Sequence, residues 1–261
     1  MAFLLKNFLQ SILKILAKTY LWRRKPLVIV VAGTANRHWL KENILSGFNK
    51  KKLLCRVSQN NFNAEIGLPL SILGIFPDEN QRGKINRWFF ALKKGLKIAF
   101  KKNVGEKEVL VLEMAIDKPD DMEYLLSIAR PDIAVFSAIT MIYPENFDNL
   151  DEIAMEYRKL IAALPKNGLA LLNADDRRII GLGQYTGAKV ITYGVENQNA
   201  DYLAQDIQKI TTGQQFKIQT PEMTGKNIEI KRFGKHHIYA ELVKEVILNK
   251  IINDQIPITI Q

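Results

Sequence analysis

The chain has 261 residues, of which 47% are hydrophobic and 25% charged, so disordered and fibrous classes are excluded. Its length suits one large domain or two small ones. The single cysteine, Cys55, excludes an internal disulfide, and the three histidines beside it do not complete a structural zinc site. We therefore expect a cytoplasmic protein without a structural metal.

The net charge of +10 is concentrated in two segments that contain no acidic residue. The first is residues 1–25 and the second is residues 82–102, and the rest of the chain is slightly acidic. The basic residues are Lys6, Lys14, Lys18, Arg23, Arg24 and Lys25 in the first segment, and Arg82, Lys84, Arg87, Lys93, Lys94, Lys97, Lys101 and Lys102 in the second.

Residues 1–25 are predicted to form a basic amphipathic helix. Its apolar face consists of Leu5, Phe8, Leu9, Ile12, Leu16 and Tyr20. Polar residues interrupt this segment too often for a transmembrane span, and no cleavage site of a secretory signal follows it. The helix either lies on an anionic membrane surface, at the inner face of the membrane, or packs on the following domain; the pattern favours packing.

Residues 26–255 have the pattern of an α/β domain with a mostly parallel sheet flanked by helices. Strands are predicted at 27–32, 53–57, 109–114, 133–137, 169–173 and 190–193, and helices at 39–48, 84–102, 119–129 and 150–163. Polar alternation at 216–219 and 227–231 predicts a small β appendage, followed by a closing helix at 236–251.

The second basic segment is predicted to pack as an amphipathic helix. Its apolar stripe is Ile85, Trp88, Phe89, Leu92, Leu96, Ala99 and Phe100. These aromatic residues are spaced for packing in a core and not for stacking on bases, so nucleic acid is not expected as a partner.

The junction after the first strand is the place for a nucleotide phosphate in a P-loop-type α/β fold, because helix N-terminal amides attract anions. The residues there are Gly33, Thr34, Ala35, Asn36, Arg37, His38 and Trp39. A working phosphate loop needs a second glycine, a lysine and a Ser/Thr hydroxyl, so this string alone predicts an ordinary strand–helix turn.

Five other strings, taken together and in their order along the chain, resemble the central ATPase domain of the Mur ligases. These are the enzymes that form amide bonds in peptidoglycan precursors. The strings are residues 61–70 (NFNAEIGLPL), 111–115 (VLEMA), 129–135 (ARPDIAV), 171–176 (LLNADD) and 234–239 (GKHHIY). The resemblance spans about residues 26–252 and implies a P-loop-type sheet that binds ATP and magnesium.

In the family's phosphate loop, G-[TS]-x-G-K-[ST]-[ST], Gly33 and Thr34 match the first two positions. Asn36 stands at the second glycine, where a Cβ obstructs the approach of phosphate. Arg37 stands at the lysine, whose compact tip a planar guanidinium does not replace. His38 stands at the magnesium-binding hydroxyl and is not a hard oxygen ligand.

The resemblance also implies a metal site and an adenine site. Glu113 matches the family's acidic magnesium ligand, whereas Tyr143 and Tyr157 take the places of a histidine and a lysine near the metals. Asn173 and Asp175 match the adenine-side string, and His237 stands at an asparagine near the adenine.

The family further implies an N-terminal UDP-binding domain and a C-terminal domain that brings in the amino-acid substrate. We expect both to be absent from this chain, which has only a short helix before residue 26 and ends at Gln261. Because the replaced positions are those that touch phosphate and metal, we expect an inactive binding or scaffold protein. The alternative is an active ATP- and magnesium-dependent ligase of the D-alanyl-D-alanine-adding type, completed by domains of a protein partner.

Overall fold

The computed structural model describes residues 2–59, 64–76, 85–101, 108–220 and 224–253. Within these ranges the backbone forms one nine-stranded sheet. The strands are β1 (Leu27–Ala32), β2 (Cys55–Val57), β3 (Val109–Glu113), β4 (Ile133–Phe136), β5 (Leu169–Asn173), β6 (Lys189–Gly194), β7 (Tyr202–Ile210), β8 (Gly213–Gln219) and β9 (Thr224–Ile230).

The strand order is β2-β3-β1-β4-β5-β6-β7-β8-β9. All pairs from β2 to β7 are parallel, and the last two pairs are antiparallel. The prediction of a mostly parallel sheet is thus confirmed. The predicted β appendage is an antiparallel extension of that same sheet, and it includes β7, which the sequence pattern did not indicate.

Helices cover both faces of the sheet, which explains why the central parallel strands β1, β3, β4 and β5 are apolar runs buried on both sides. One face carries most of the helices, and α2 and α8 pack together on the other. The helices are α1 (Ala2–Arg24), α2 (Arg37–Lys50), α3 (Gly67–Leu73), α4 (Ile85–Phe100), α5 (Asp121–Leu126), α6 (Leu150–Ala162), α7 (Arg177–Leu182) and α8 (Lys235–Asn253).

The predicted elements match the observed ones within a few residues at each end, and the structure adds α3, α7 and β7, which were not predicted. Several predicted positions lie outside the described residues: Asn61, Phe62 and Asn63 of the first family string, the ends of the second basic segment, and residues 254–255 of the predicted domain.

Helix α1 packs on the domain through Leu9, Leu13, Leu16, Ala17 and Tyr20, all of which are buried. The predicted apolar face was therefore partly wrong. Phe8 was assigned to it but is exposed, whereas Leu13 was not assigned to it and is fully buried. Packing against α3 and α4 decides this rotation. No helix in the described part of the chain is long and apolar enough to cross a membrane.

Helix α4 also departs from its predicted stripe. Ala99 is buried as predicted, but Leu96 and Phe100 are exposed. The side chains of Ile85, Trp88 and Phe89 lie outside the described residues. The small residues Ala91, Gly95 and Ala99 form the buried line of α4, and at Gly95 they allow Leu16 of α1 and Leu73 of α3 to approach closely.

Candidate functional site

The candidate site lies at the edge of the sheet that is formed by the carboxyl ends of the parallel strands. The loop after β1 forms the floor of the site. Gly33 has a φ of +114°, which favours glycine. A Cβ on Gly33 would collide with Oγ of Ser137 and lie 2.9 Å from the carbonyl oxygen of Ala138. Gly33 is therefore required by the close approach of the segment that follows β4.

Thr34 ties the loop to that same segment. Its backbone N–H donates to the carbonyl of Ala138 at 2.8 Å, and its Oγ1 accepts from the N–H of Thr140 at 2.6 Å. Asn36 follows in the left-handed region, with a φ of 63°, and precedes the first residue of α2 without a side-chain capping bond. Thr34 thus joins the loop after β1 to the segment after β4 through two hydrogen bonds.

Arg37 folds back over the loop instead of extending outward. Its Nε donates to Oε1 of Glu113 at 2.8 Å, and its Nη1 donates to the carbonyl oxygen of Gly33. The second carboxylate oxygen, Oε2 of Glu113, contacts Nζ of Lys41 at 2.5 Å. Each oxygen of Glu113 therefore holds one cation.

This group is buried, since the side chains of Lys41 and Glu113 are only 3% and 9% exposed. Burial acts to raise the pKa of Glu113, but Lys41 and Arg37 outweigh it and the pKa lies below its usual value. Ser58 completes the cluster, because its Oγ accepts from the N–H of Glu113 at 3.1 Å and its carbonyl accepts from Lys41 at 3.3 Å.

Sequence reasoning missed Lys41. The available signal was its spacing, because Lys41 follows Arg37 by four residues and residues four apart share one face of a helix. Two cations on that face of α2 meet the carboxylate that ends β3.

Tyr157 fills the space beneath the loop. Its hydroxyl donates to the carbonyl of Gly33 at 2.6 Å, its ring packs edge-on against Phe136, and the side chain is fully buried. Burial raises the pKa of its hydroxyl. The structure thus places Tyr157, which stands at a lysine position in the family resemblance, directly beneath Gly33. Tyr143 is instead largely exposed on a loop.

Asn173 and Asp175, which the resemblance implies to lie near an adenine, form hydrogen bonds within the protein. Nδ2 of Asn173 donates to the carbonyl of Ser137 at 2.7 Å. The carboxylate of Asp175 accepts from the N–H groups of Val195 and Asn197, each at 2.7 Å, and from the hydroxyl of Tyr239 at 2.7 Å. Asp175 therefore fixes the turn after β6 and the first turn of α8.

The histidines lie at the start of α2 and α8. His38 is half-exposed and contacts Glu42 at 3.1 Å. His237 lies with its ring 4.5 Å from that of Trp39 and 4.1 Å from that of His236. Burial, assisted by His236 and Arg232, lowers the pKa of His237 to about 4, so the ring is neutral at pH 7.

The residues present do not fit a magnesium ion in this arrangement. Magnesium takes oxygen ligands, and both oxygens of Glu113 already bear cations. Across the ranges that the structure describes, no three His, Cys, Asp or Glu side chains are grouped so that they could hold a metal. In this arrangement the site holds the loop after β1 and a cluster of two cations, Arg37 and Lys41, around one carboxylate, Glu113. Its positive charges therefore outnumber its negative charge.

Comparison with known proteins identifies the fold. The chain is 24% identical over 180 residues to the UDP-N-acetylmuramoyl-tripeptide–D-alanyl-D-alanine ligase of Escherichia coli (strain K12), covering 68% of this chain and 33% of the relative. It is 26% identical over 223 residues to the Bacillus subtilis (strain 168) ligase of the same name, covering 85% and 41%. The chain thus spans a third to two fifths of these relatives' length.

Solved structures give the same result. The MurF ligase of Thermotoga maritima in complex with ADP superposes with a TM-score of 0.70 at 18% identity, covering 96% of this chain and 51% of that one. MurF from Acinetobacter baumannii has a TM-score of 0.71 at 14% identity, covering 92% and 46%. At these identities the likeness concerns the fold.

The model of the Mur ligase middle domain matches residues 93–243, more than half of the chain. This match includes β3 to β9 and the start of α8, and therefore Glu113, Tyr157, Asn173, Asp175 and His237. The expected family resemblance is confirmed, and the chain belongs to the Mur ligase middle-domain family, whose members include the ATP-dependent ligases of peptidoglycan precursors.

Proposed function

We propose that this chain is a Mur ligase middle domain that does not transfer a phosphoryl group and that acts by binding, as a scaffold. The observation that carries the proposal is the pairing of Glu113 with Arg37 at 2.8 Å and with Lys41 at 2.5 Å. The carboxylate that would bind magnesium in the family is neutralised by two protein cations.

A magnesium ion would have to separate Glu113 from Lys41. Lys41 is almost fully buried, and a buried ammonium without its carboxylate costs about 3–5 kcal/mol. Magnesium gives up its own hydration shell reluctantly. The exchange is therefore unfavourable unless the loop opens.

The phosphate side of the site supports the same proposal. The guanidinium of Arg37 donates hydrogen bonds to Glu113 and to the carbonyl of Gly33. It is therefore engaged within the protein and not directed at a phosphate. Asn36 places a Cβ in the loop at the position of the family's second glycine. Phosphoryl transfer depends almost entirely on positioning and charge neutralisation, and both depend on these groups.

The partner that we propose is a cytoplasmic protein of peptidoglycan-precursor synthesis. It provides the other domains of a ligase of this family. The support is that the matched region makes up 33% and 41% of the two ligases, so in those proteins it stands beside other parts of the chain. No nucleic acid is needed for this function.

The test is calorimetric titration of the purified chain with ATP, with and without magnesium, together with an assay of ATP hydrolysis. We expect no magnesium-dependent binding and no hydrolysis by a folded sample. Arg37→Ala tests the site directly, and Arg178→Ala is its control, because Arg178 forms an exposed ion pair with Asp151 elsewhere.

Micromolar, magnesium-dependent binding that Arg37→Ala weakens and Arg178→Ala leaves unchanged would contradict the proposal. That result would favour the active ligase of the D-alanyl-D-alanine-adding type, with ATP and magnesium as cofactors and its other domains in a second chain.

A further inference from the structure

Helices α1 and α4 lie side by side on the sheet and run in the same direction. The contacts that establish this are Leu16 against Gly95 and, at the C-terminal ends of both helices, Arg23 over the ring of Phe100 at 5.9 Å. Their inner faces are buried in the core shared with β1 and β3. Their outer faces form one surface, which we call the α1–α4 face.

The outer side of α1 is apolar although the core is on its other side. Phe8, Ile15 and Trp22 are 62%, 61% and 75% exposed. They are seven residues apart, so they lie along one line of the helix, opposite to the buried Leu13 and Ala17. Core packing does not explain this line.

Helix α4 extends the apolar surface. Phe90, Leu96 and Phe100 are each at least half exposed. Among the large hydrophobic side chains that are exposed in the described ranges, six of twelve belong to these two helices. Exposed apolar residues scattered singly are ordinary, but a cluster of this kind marks an interaction surface.

The charge around this surface has one sign. Neither residues 1–25 nor residues 82–102 contain Asp or Glu. Lys93, Lys94 and Lys97 are exposed on α4, Lys18 is exposed on α1, and Lys25 is exposed directly after α1. Within the part of the chain that is described, none of these five lysines lies within 4 Å of a carboxylate.

A cavity of about 800 Å³ continues the positive region past α1. Six cationic residues and one carboxylate, that of Asp132, line this cavity. The cations are Lys18, Lys25, Arg130, Lys166, Lys189 and Lys250. The apolar line of α1 is therefore bordered by cations on both sides.

We propose that the α1–α4 face docks on an anionic phospholipid bilayer. Exposed aromatic and aliphatic side chains flanked by lysines are what an interfacial helix uses to enter the headgroup region, with each cation adding to the attraction of anionic lipid. The inference is independent of the proposed function, since it uses none of the residues at the candidate site.

Other occupants fit less well. A second copy docked through the same face would bring lysine against lysine, which is unfavourable across a two-fold interface. A nucleic acid would satisfy the charge and could stack on the exposed aromatic rings, but it would not bury the aliphatic side chains of Ile15 and Leu96, which a bilayer does.

The experiment is co-sedimentation of the full chain with vesicles of phosphatidylglycerol and phosphatidylcholine, compared with phosphatidylcholine alone. We expect binding to the anionic vesicles that weakens with added salt. The double substitution Phe8→Ser and Trp22→Ser should weaken partitioning about tenfold or more, and so should the triple substitution Lys93→Gln, Lys94→Gln and Lys97→Gln. All five side chains are exposed, so circular dichroism should show an intact fold.

Matched controls are Phe233→Ser, an exposed aromatic residue elsewhere, and the triple Lys51→Gln, Lys209→Gln and Lys231→Gln, which removes the same charge from other surfaces. These should bind as the unaltered chain does. A blue shift of tryptophan fluorescence on binding should be smaller in Trp22→Phe.

Three results would overturn the proposal. One is the absence of binding, and another is equal binding to both kinds of vesicle. The third is a control triple that weakens binding as much as the α4 triple, because general positive charge would then be responsible. The unaltered chain could instead bind no vesicles but self-associate or bind an oligonucleotide. If the Phe8 and Trp22 double variant then loses that property, the face belongs to that other partner.

Discussion

Glu113 holds two cations that come from one turn of α2, and this small cluster decides what the candidate site can bind. The position of Glu113 at the end of β3 was predictable from sequence, because an apolar run ends there. Its pairing was not, since Arg37 and Lys41 are far from it along the chain. Contacts of this kind depend on which strand lies beside which.

Glu113→Gln should lower the free energy of unfolding by about 3 kcal/mol, because it leaves the buried Lys41 ammonium without a carboxylate. The measurement is urea unfolding followed by circular dichroism. Adding Lys41→Met to Glu113→Gln should recover most of the loss, since the buried ammonium is then removed and the more exposed Arg37 keeps its bond to the carbonyl of Gly33. A double variant as unstable as the single one would show that the charge is not the cause.

His237 should make the chain less stable as the pH falls from about 6.5 to about 4. The pKa of His237 is lowered to about 4 in the folded state, below its ordinary 6.5, so the unfolded chain takes up the proton first. Acid therefore favours unfolding in this window. Between pH 7 and 5, the fall in Tm should be smaller for His237→Gln than for the unaltered chain.

The control for that measurement is His38→Gln, at a half-exposed histidine in the first turn of α2. It should keep the full fall in Tm between pH 7 and 5. An unchanged fall in His237→Gln would show that other groups cause the acid sensitivity.

At the scale of elements, α1 has two faces with different roles. The buried Leu13 belongs to the main core, and the exposed Ile15 belongs to the α1–α4 face. Leu13→Ala should destabilise the chain by about 3 kcal/mol, whereas Ile15→Ala should change stability by less than about 0.5 kcal/mol. Chemical unfolding of both variants checks this, and equal effects would contradict the assigned rotation of α1.

Elements with a regular pattern were predictable, and irregular ones were not. The apolar runs at β1, β3 and β5 and the helix at α6 were found close to their ends. Helix α3 has seven residues and contains Pro69, so it carries too few periods to be recognised. Strand β7 has an irregular register between Gln205 and Gln208, which breaks the alternation that predicts a strand.

At the scale of the whole molecule, the sheet order brings the site together. Strand β1 lies between β3 and β4, so the loop after β1 meets Glu113 on one side and Ser137 on the other. The antiparallel strands β7 to β9 extend the sheet far from this edge and pack under α8. The α1–α4 face and the candidate site therefore use different parts of one fold.

The sequence by itself determined the parallel sheet, the glycine turn after β1 and the family, because apolar runs, turn residues and ordered strings are local features of the chain. Only the tertiary structure decided that Arg37 and Lys41 neutralise Glu113, that Tyr157 closes the space under Gly33, and which side of α1 is exposed. Those outcomes depend on packing between residues distant in sequence, and a periodic pattern does not specify such contacts.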